Sequence, residues 1–113
     1  MTEITCGADG EGFFIEASGH SGYDRAGRDV VCAGISALIF AEIDFTRKME
    51  SAGYIEKRTL ITRDGFVYLH VLPHEEKREA LMGAFAAVQT GLRLLAESFP
   101  KYVHMEETNG KIF

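Results

Sequence analysis

"VVCAGISALIFA", residues 30–41, carries one polar side chain, Ser36. A helix drawn through it is apolar all round, and such a helix is buried all round. Asp29, just before it, is a good N-cap, and Gly53 is a stop signal beyond it. The reading is a helix from Val30 to about Met49. The rest of the chain must supply cover for every side of it.

The flanking segments alternate with period two. "TEITCG" (2–7) sets Ile4 and Cys6 against Glu3 and Thr5, a short strand, and "FFIEAS" (13–18) is its partner across Asp9-Gly10. "YIEKRTLIT" (54–62) and "FVYLHVL" (66–72) flank Asp64-Gly65 as a second hairpin, which Pro73 ends. "HEEKREALMGAFAAVQTGLRLLAESF" (74–99) reads as a second helix with acidic residues in its first turn. Leu81, Phe85, Val88, Leu92, Leu95 and Phe99 form its stripe, and Pro100 stops it. "KYVHMEET" (101–108) is a final strand and "NGKIF" a short tail. The order is ββαββαβ in one α+β domain, residues 1–113, with no repeat and no linker. Helices apolar on every side imply two helices packed between or against small antiparallel sheets, or a helix face covered by a second subunit. Either arrangement points to a homodimer.

Composition narrows the function. With 113 residues, 46% hydrophobic and 26% charged, the chain is sized and balanced for one folded domain. Twelve Lys and Arg against 17 Asp and Glu give a net charge of −5, which argues against direct nucleic-acid binding. Two cysteines make no disulfide scaffold. The first ten residues have no signal-peptide pattern, and Glu42 and Asp44 interrupt the longest apolar run, so no membrane partner is expected. A cytoplasmic protein with reduced thiols is the expectation. His70 and His74 are four apart, but Pro73 between them argues against a helix there, and a third ligand at proper spacing is missing. No metal and no cofactor are expected. Cys6, alternating with Ile4, reads as core; His104 reads as surface or interface; "EEKRE" (75–79) reads as a solvated helix start.

The chemistry gathers in "SGHSGYDRAGRDVVCAG" (18–34). With Asp29 as N-cap, Cys32 is the third helical residue. There the unpaired N–H groups and the helix dipole favour a thiolate. His20 lies 32 − 20 = 12 residues upstream, within reach of the sulfur if the intervening loop folds back. A thiolate held by an imidazolium is what Cys–His nucleophilic catalysis needs. Ser36, one turn on from Cys32, shares its helix face. Asp29 can orient His20 or cap the helix, but not both well, and its charge opposes a nearby thiolate. The loop, about 20–28, contains no large aliphatic residue and reads as mobile. Without Gly-Lys-Ser/Thr before the helix it is not a phosphate loop. Tyr23 and Arg25 are loop positions that can contact substrate. From these residues alone two readings stay open: a catalytic pair, or a core thiol beside a surface histidine.

"GHSGYDRAGRDVVCAGISAL" (19–38) closely resembles the signature of the bacterial ribosomal-processing cysteine protease family, Prp (YsxB-like). That signature joins a Gly-His-Ala/Ser element, through a short glycine-containing loop, to Gly-x-Asp-(Ile/Val)-Val-Cys-Ala-(Ala/Gly)-(Val/Ile)-Ser. The chain's length and element order are also similar to the family's. The resemblance implies Cys32 as nucleophile, His20 as general base and acid, and Asp29 and Ser36 as accessory residues. It further implies a small α/β homodimer with a mobile loop between His and Cys. Within that loop, Gly19, Gly22, Tyr23, Arg25 and Gly27 read, from their place in it, as the substrate-loop positions. The implied activity is removal of an N-terminal extension from a large-subunit ribosomal protein, the bacterial L-twenty-seven protein. The competing reading is a non-catalytic ribosome-associated protein-binding module in which Cys32 only packs.

Overall fold

The computed structural model describes residues 1–25 and 28–108. Strands β1 (Thr2–Asp9) and β2 (Gly12–Ser18) precede helix α1 (Val30–Ser51). Strands β3 (Ile55–Arg63) and β4 (Phe66–Pro73) lead through a 3-10 turn (Glu75–Lys77) into helix α2 (Arg78–Ser98), and β5 (Val103–Glu107) follows. The expected ββαββαβ order and α+β class hold. The second helix proper starts at Arg78 rather than His74, because the first residues after Pro73 wind as the tighter 3-10 turn.

The hairpins do not form separate sheets. They join into one five-stranded sheet of order β3-β4-β2-β1-β5. The joint is an antiparallel pairing of β2 with β4 that sets Phe13 opposite Val71, Ile15 opposite Leu69 and Ala17 opposite Val67. Apolar side chains thereby meet apolar side chains, which fixes the register. β5 adds to the far edge parallel to β1, with Thr2 opposite Val103 and Ile4 opposite Met105.

One face of this sheet is apolar. It presents Ile4 and Cys6 of β1, Phe13 and Ile15 of β2, and Leu69 and Val71 of β4, each no more than 1% exposed. Both helices pack against that face, so they lie against a sheet and not between two. α1 contributes Val31, Ile35 and Ile39, and α2 contributes Leu81, Phe85 and Leu92. The Phe13 and Phe85 rings stack at 5.5 Å. Each such large side chain contributes about 1.5–3 kcal/mol on burial. Arg58 of β3 pins α1 further along, donating to Thr46 Oγ1 (3.0 Å) and to the Ile43 carbonyl (2.8 Å).

α1 is therefore covered on its sheet side and by α2, and open on its outer side. Val30 and Phe40 are 63% and 61% exposed, and Ala33, Ala37 and Ala41 along the same side are also exposed. The all-round burial expected of this helix is not achieved within one chain, because the single sheet has only one apolar face to give.

The core also holds a group that strand and helix patterns did not single out. Glu42 is 2% exposed on the buried side of α1, and its Oε2 has no hydrogen-bond partner among the described residues. Burial pushes its carboxyl from 4.5 up to about 7. In that window the folded state binds more protons than the unfolded state, so stability falls as pH rises from about 4.5 to about 7. Glu42→Leu should raise the urea midpoint more at pH 8 than at pH 5, the difference corresponding to up to roughly 3 kcal/mol.

Candidate active site

β2 delivers the chain to the site. This central strand ends at Ser18, His20 follows just beyond its end, and Ser21 turns inward to 2% exposure. Asp29 stands at the start of α1. Asp29 is extended (φ −81°, ψ 99°) and caps the helix, its Oδ1 accepting from the Cys32 N–H at 2.9 Å. Its Oδ2 accepts from the Ser21 hydroxyl and from the N–H groups of Tyr23 (3.1 Å) and Asp24 (3.4 Å). Desolvation alone would raise this carboxyl. The Ser21 hydroxyl and the N–H groups of Cys32, Asp24 and Tyr23 outweigh it and hold the carboxyl below its ordinary value. Asp29 thus caps the helix and gathers the loop, and no hydrogen bond links it to His20.

The sequence-predicted residues fall into three groups. His20, Cys32 and Ser36 come together: all three line both of two clefts that meet at this point. The first cleft, about 400 Å³, runs between α1 and the sheet and is walled by Ile35, Ile39, Phe40, Phe66 and Val67. The second, about 690 Å³, opens over the loop and is bordered by Asp24, Arg28 and Asp29. Gly19 borders the first and Gly22 the second. His20 and Ser36 are exposed and Cys32 is half-buried. No hydrogen bond joins the His20 ring to the Cys32 thiol among the described residues.

Tyr23 and Arg25 form the second group. The Tyr23 ring packs edge-on against Phe99 (5.5 Å) and Tyr102 (5.2 Å), at the corner where α2 turns into β5. It borders neither cleft, although 43% of it is exposed. Arg25 is exposed, its N–H bonded to Asp24 Oδ1 at 2.7 Å. Gly27, the third group, lies outside the described residues.

Two contacts of this site had no signal in the residue pattern. Ser21 is one, read only as part of a polar loop. The other is the β3–β4 turn, which reaches the site through Gly65.

The remaining candidates stand elsewhere. Cys6 is fully buried; burial and the nearby Glu107 carboxylate push its thiol up to about 12 against the opposing pull of Arg93. His70 pairs with Asp9 at 3.1 Å on the open sheet face, and His104 sits exposed beside Glu106. Among the described residues no three His, Cys, Asp or Glu side chains are placed to share a metal ion. No helix among the described residues is long and apolar enough to cross a membrane.

Residues 1–104 match the family model described as cysteine protease Prp. The chain is 26% identical over 93 residues to the ribosomal processing cysteine protease Prp of Mycoplasma pneumoniae, a match spanning 82% of this chain and 85% of that one. Its fold is similar to the crystal structure of an essential ribosomal processing protease Prp from S. aureus with a covalently linked product peptide. There the identity is 17% and the TM-score 0.78, over 96% of this chain and all of that one. The same protease with a substrate peptide gives 15% and 0.70 over the same shares.

The two thiols should separate cleanly. In native protein at pH 7, iodoacetamide is expected to alkylate Cys32 about 100-fold faster than Cys6, because Cys32 is accessible at a helix start and Cys6 is buried and protonated. Peptide-mapping mass spectrometry reads both rates, and equal, slow labelling would remove the case for a reactive Cys32.

Proposed function

Because the chain belongs to the cysteine protease Prp family, we propose that it is an endopeptidase in which Cys32 is the nucleophile and His20 the general base and acid. The supporting observation is that His20, Cys32 and Ser36 stand where two clefts meet, one walled by apolar side chains and the other bordered by Asp24, Arg28 and Asp29. An extended peptide laid across that junction places its scissile bond over Cys32, with apolar side chains in the first cleft.

The chemistry follows from those positions. His20 takes the Cys32 proton, and the thiolate attacks the scissile carbonyl to form a tetrahedral oxyanion. Collapse breaks the C–N bond, and the imidazolium gives its proton to the departing amine. The remaining thioester is hydrolysed by a water that His20 deprotonates, which releases the acid and restores the thiol. The Cys32 N–H already serves Asp29, so the oxyanion draws its donors from other groups at the helix start or from the Ser36 hydroxyl. Asp29 and Ser36 act as accessory residues, the first by fixing the loop and helix start, the second beside the sulfur.

The substrate we infer is the N-terminal extension of a large-subunit ribosomal protein of the bacterial ribosome, the L-twenty-seven protein, cut in the cytoplasm. The Mycoplasma pneumoniae relative is named for ribosomal processing, and the S. aureus protease holds a substrate peptide. A second copy of the chain covers the outer stripe of α1, Val30, Ala33, Ala37, Phe40 and Ala41, whose small central residues let another helix approach closely.

Purified protein should shorten the host's extended ribosomal protein, read by mass spectrometry. Cys32→Ala and His20→Ala should each slow that trimming at least about 1,000-fold. Trimming by Cys32→Ala sinks the nucleophile assignment. Binding without trimming by the intact protein returns the non-catalytic module. In sedimentation, the unaltered chain should run as a dimer and Ala37→Glu as a monomer; a monomeric unaltered chain removes the second copy from the α1 stripe.

A further inference from the structure

The dipeptide Asp64-Gly65 reads as a hairpin turn and nothing more. In the folded chain that turn lies against His20. Ser18, the last residue of β2, sits opposite Phe66. One step on, the Gly19 N–H donates to the Gly65 carbonyl at 2.8 Å, so the ladder between β2 and β4 continues into the turn. Gly19 has φ +86°, and a Cβ there would stand 2.5 Å from the Met1 carbonyl oxygen. Only glycine makes that bend, and it sets the direction in which the chain arrives at His20.

Gly65 then receives the imidazole. Its φ is +70°, and a Cβ built on it would lie 3.4 Å from His20 Nε2 and 3.9 Å from Cδ2. A methyl group would just touch the ring. Anything longer would take its place. His20 has no hydrogen bond to any described residue, so contact with this turn, and not a polar partner, orients the ring. The same turn walls the apolar cleft: Arg63, Gly65 and Phe66 face it opposite Cys32, with the Arg63 guanidinium 4.6 Å from the centre of the Phe66 ring.

We propose that Gly65 is a positioning residue for His20, its bare Cα forming the seat that holds the imidazole beside Cys32. The inference rests on His20 as the acid–base group of the proposed function. It assigns the β3–β4 turn a role in the reaction that neither its sequence nor its place in the sheet announces. A substrate side chain in the apolar cleft touches the same turn, so cleft occupancy and ring position share one contact surface.

The structure supplies its own control. Gly53, after α1, has φ +82° and nothing within 4 Å of a built Cβ. Asn tolerates this left-handed region better than most residues. Gly65→Asn and Gly53→Asn therefore carry similar backbone cost, and only the first crowds His20. Both are compared for melting temperature, for kcat and KM on a peptide spanning the extension–body junction of the ribosomal protein, and for Cys32 alkylation by iodoacetamide across pH 5–9. Gly65→Asn is expected to lose about 10- to 100-fold in kcat with KM within about threefold, and to lose the histidine-dependent limb of its alkylation profile. Gly53→Asn is expected to keep both. Equal kcat and equal alkylation profiles in the two variants overturn the proposal. If Gly65→Asn does not fold, Gly65→Ala against Gly53→Ala carries the test: a kcat about threefold or more lower for the first supports it, and equal values overturn it. His20→Ala separates the two possible failures. If it cleaves like the unaltered protein, the acid–base assignment is wrong. If it is inactive while the Gly65 and Gly53 variants match, only the seat is wrong.

Discussion

The pairing of β2 with β4 governs the rest of the structure. It turns two hairpins, neither stable alone, into one sheet with a continuous apolar face. That face receives both helices, which leaves the outer side of α1 bare. It also opens the apolar cleft along the flank of α1, where Ile35 and Ile39 face Phe66 and Val67. Because the register runs to Ser18 opposite Phe66, the tip of the second hairpin arrives beside the first residues of the loop. A slip of one residue would turn every apolar side chain to the wrong face and would also move that tip away from His20.

Asp29 is the second organiser. Four donors reach its carboxylate, the Ser21 hydroxyl and the N–H groups of Tyr23 and Asp24 on Oδ2 and the N–H of Cys32 on Oδ1. None of its hydrogen bonds goes to His20. The residue acts instead as a clasp between loop and helix, assisted by the Tyr23 ring on Phe99 and Tyr102.

What the residue pattern revealed was local. Strand alternation at Ile4 and Cys6, the Asp-Gly turns, the cap at Asp29 and the stripe of α2 are set by neighbours a few residues apart, and they appear where expected. The family resemblance singled out His20, Cys32 and Ser36, and folding brings these three to one junction. What stayed hidden was long-range. No pattern tells β2 to pair with β4, since an amphipathic strand offers either edge. Tyr23 stood out only as a loop position; the rings it packs on, Phe99 and Tyr102, lie more than seventy residues away. Glu42 looked like an interruption of an apolar run, yet it is inside, because helix phase outranked side-chain polarity. Gly65 showed only the backbone freedom a turn needs, and the ring beside it could not be inferred from that.

The parallel pairing of β1 with β5 has a consequence for biogenesis. Thr2 lies opposite Val103, a sequence separation of 103 − 2 = 101 residues, and the Thr2 N–H donates to Tyr102. A chain made from its N-terminus forward therefore carries β1 with one unsatisfied edge until β5 emerges. Contacts so distant in sequence form slowly. Thr2 also lines the apolar cleft, and the Met1 carbonyl abuts Gly19, next to His20. The segment that reaches the site from the N-terminus is thus anchored by β5, a strand made long after it. During synthesis the cleft has no settled wall on that side, and the nascent chain passes through a stage in which an open strand edge, and not a competent site, faces its surroundings.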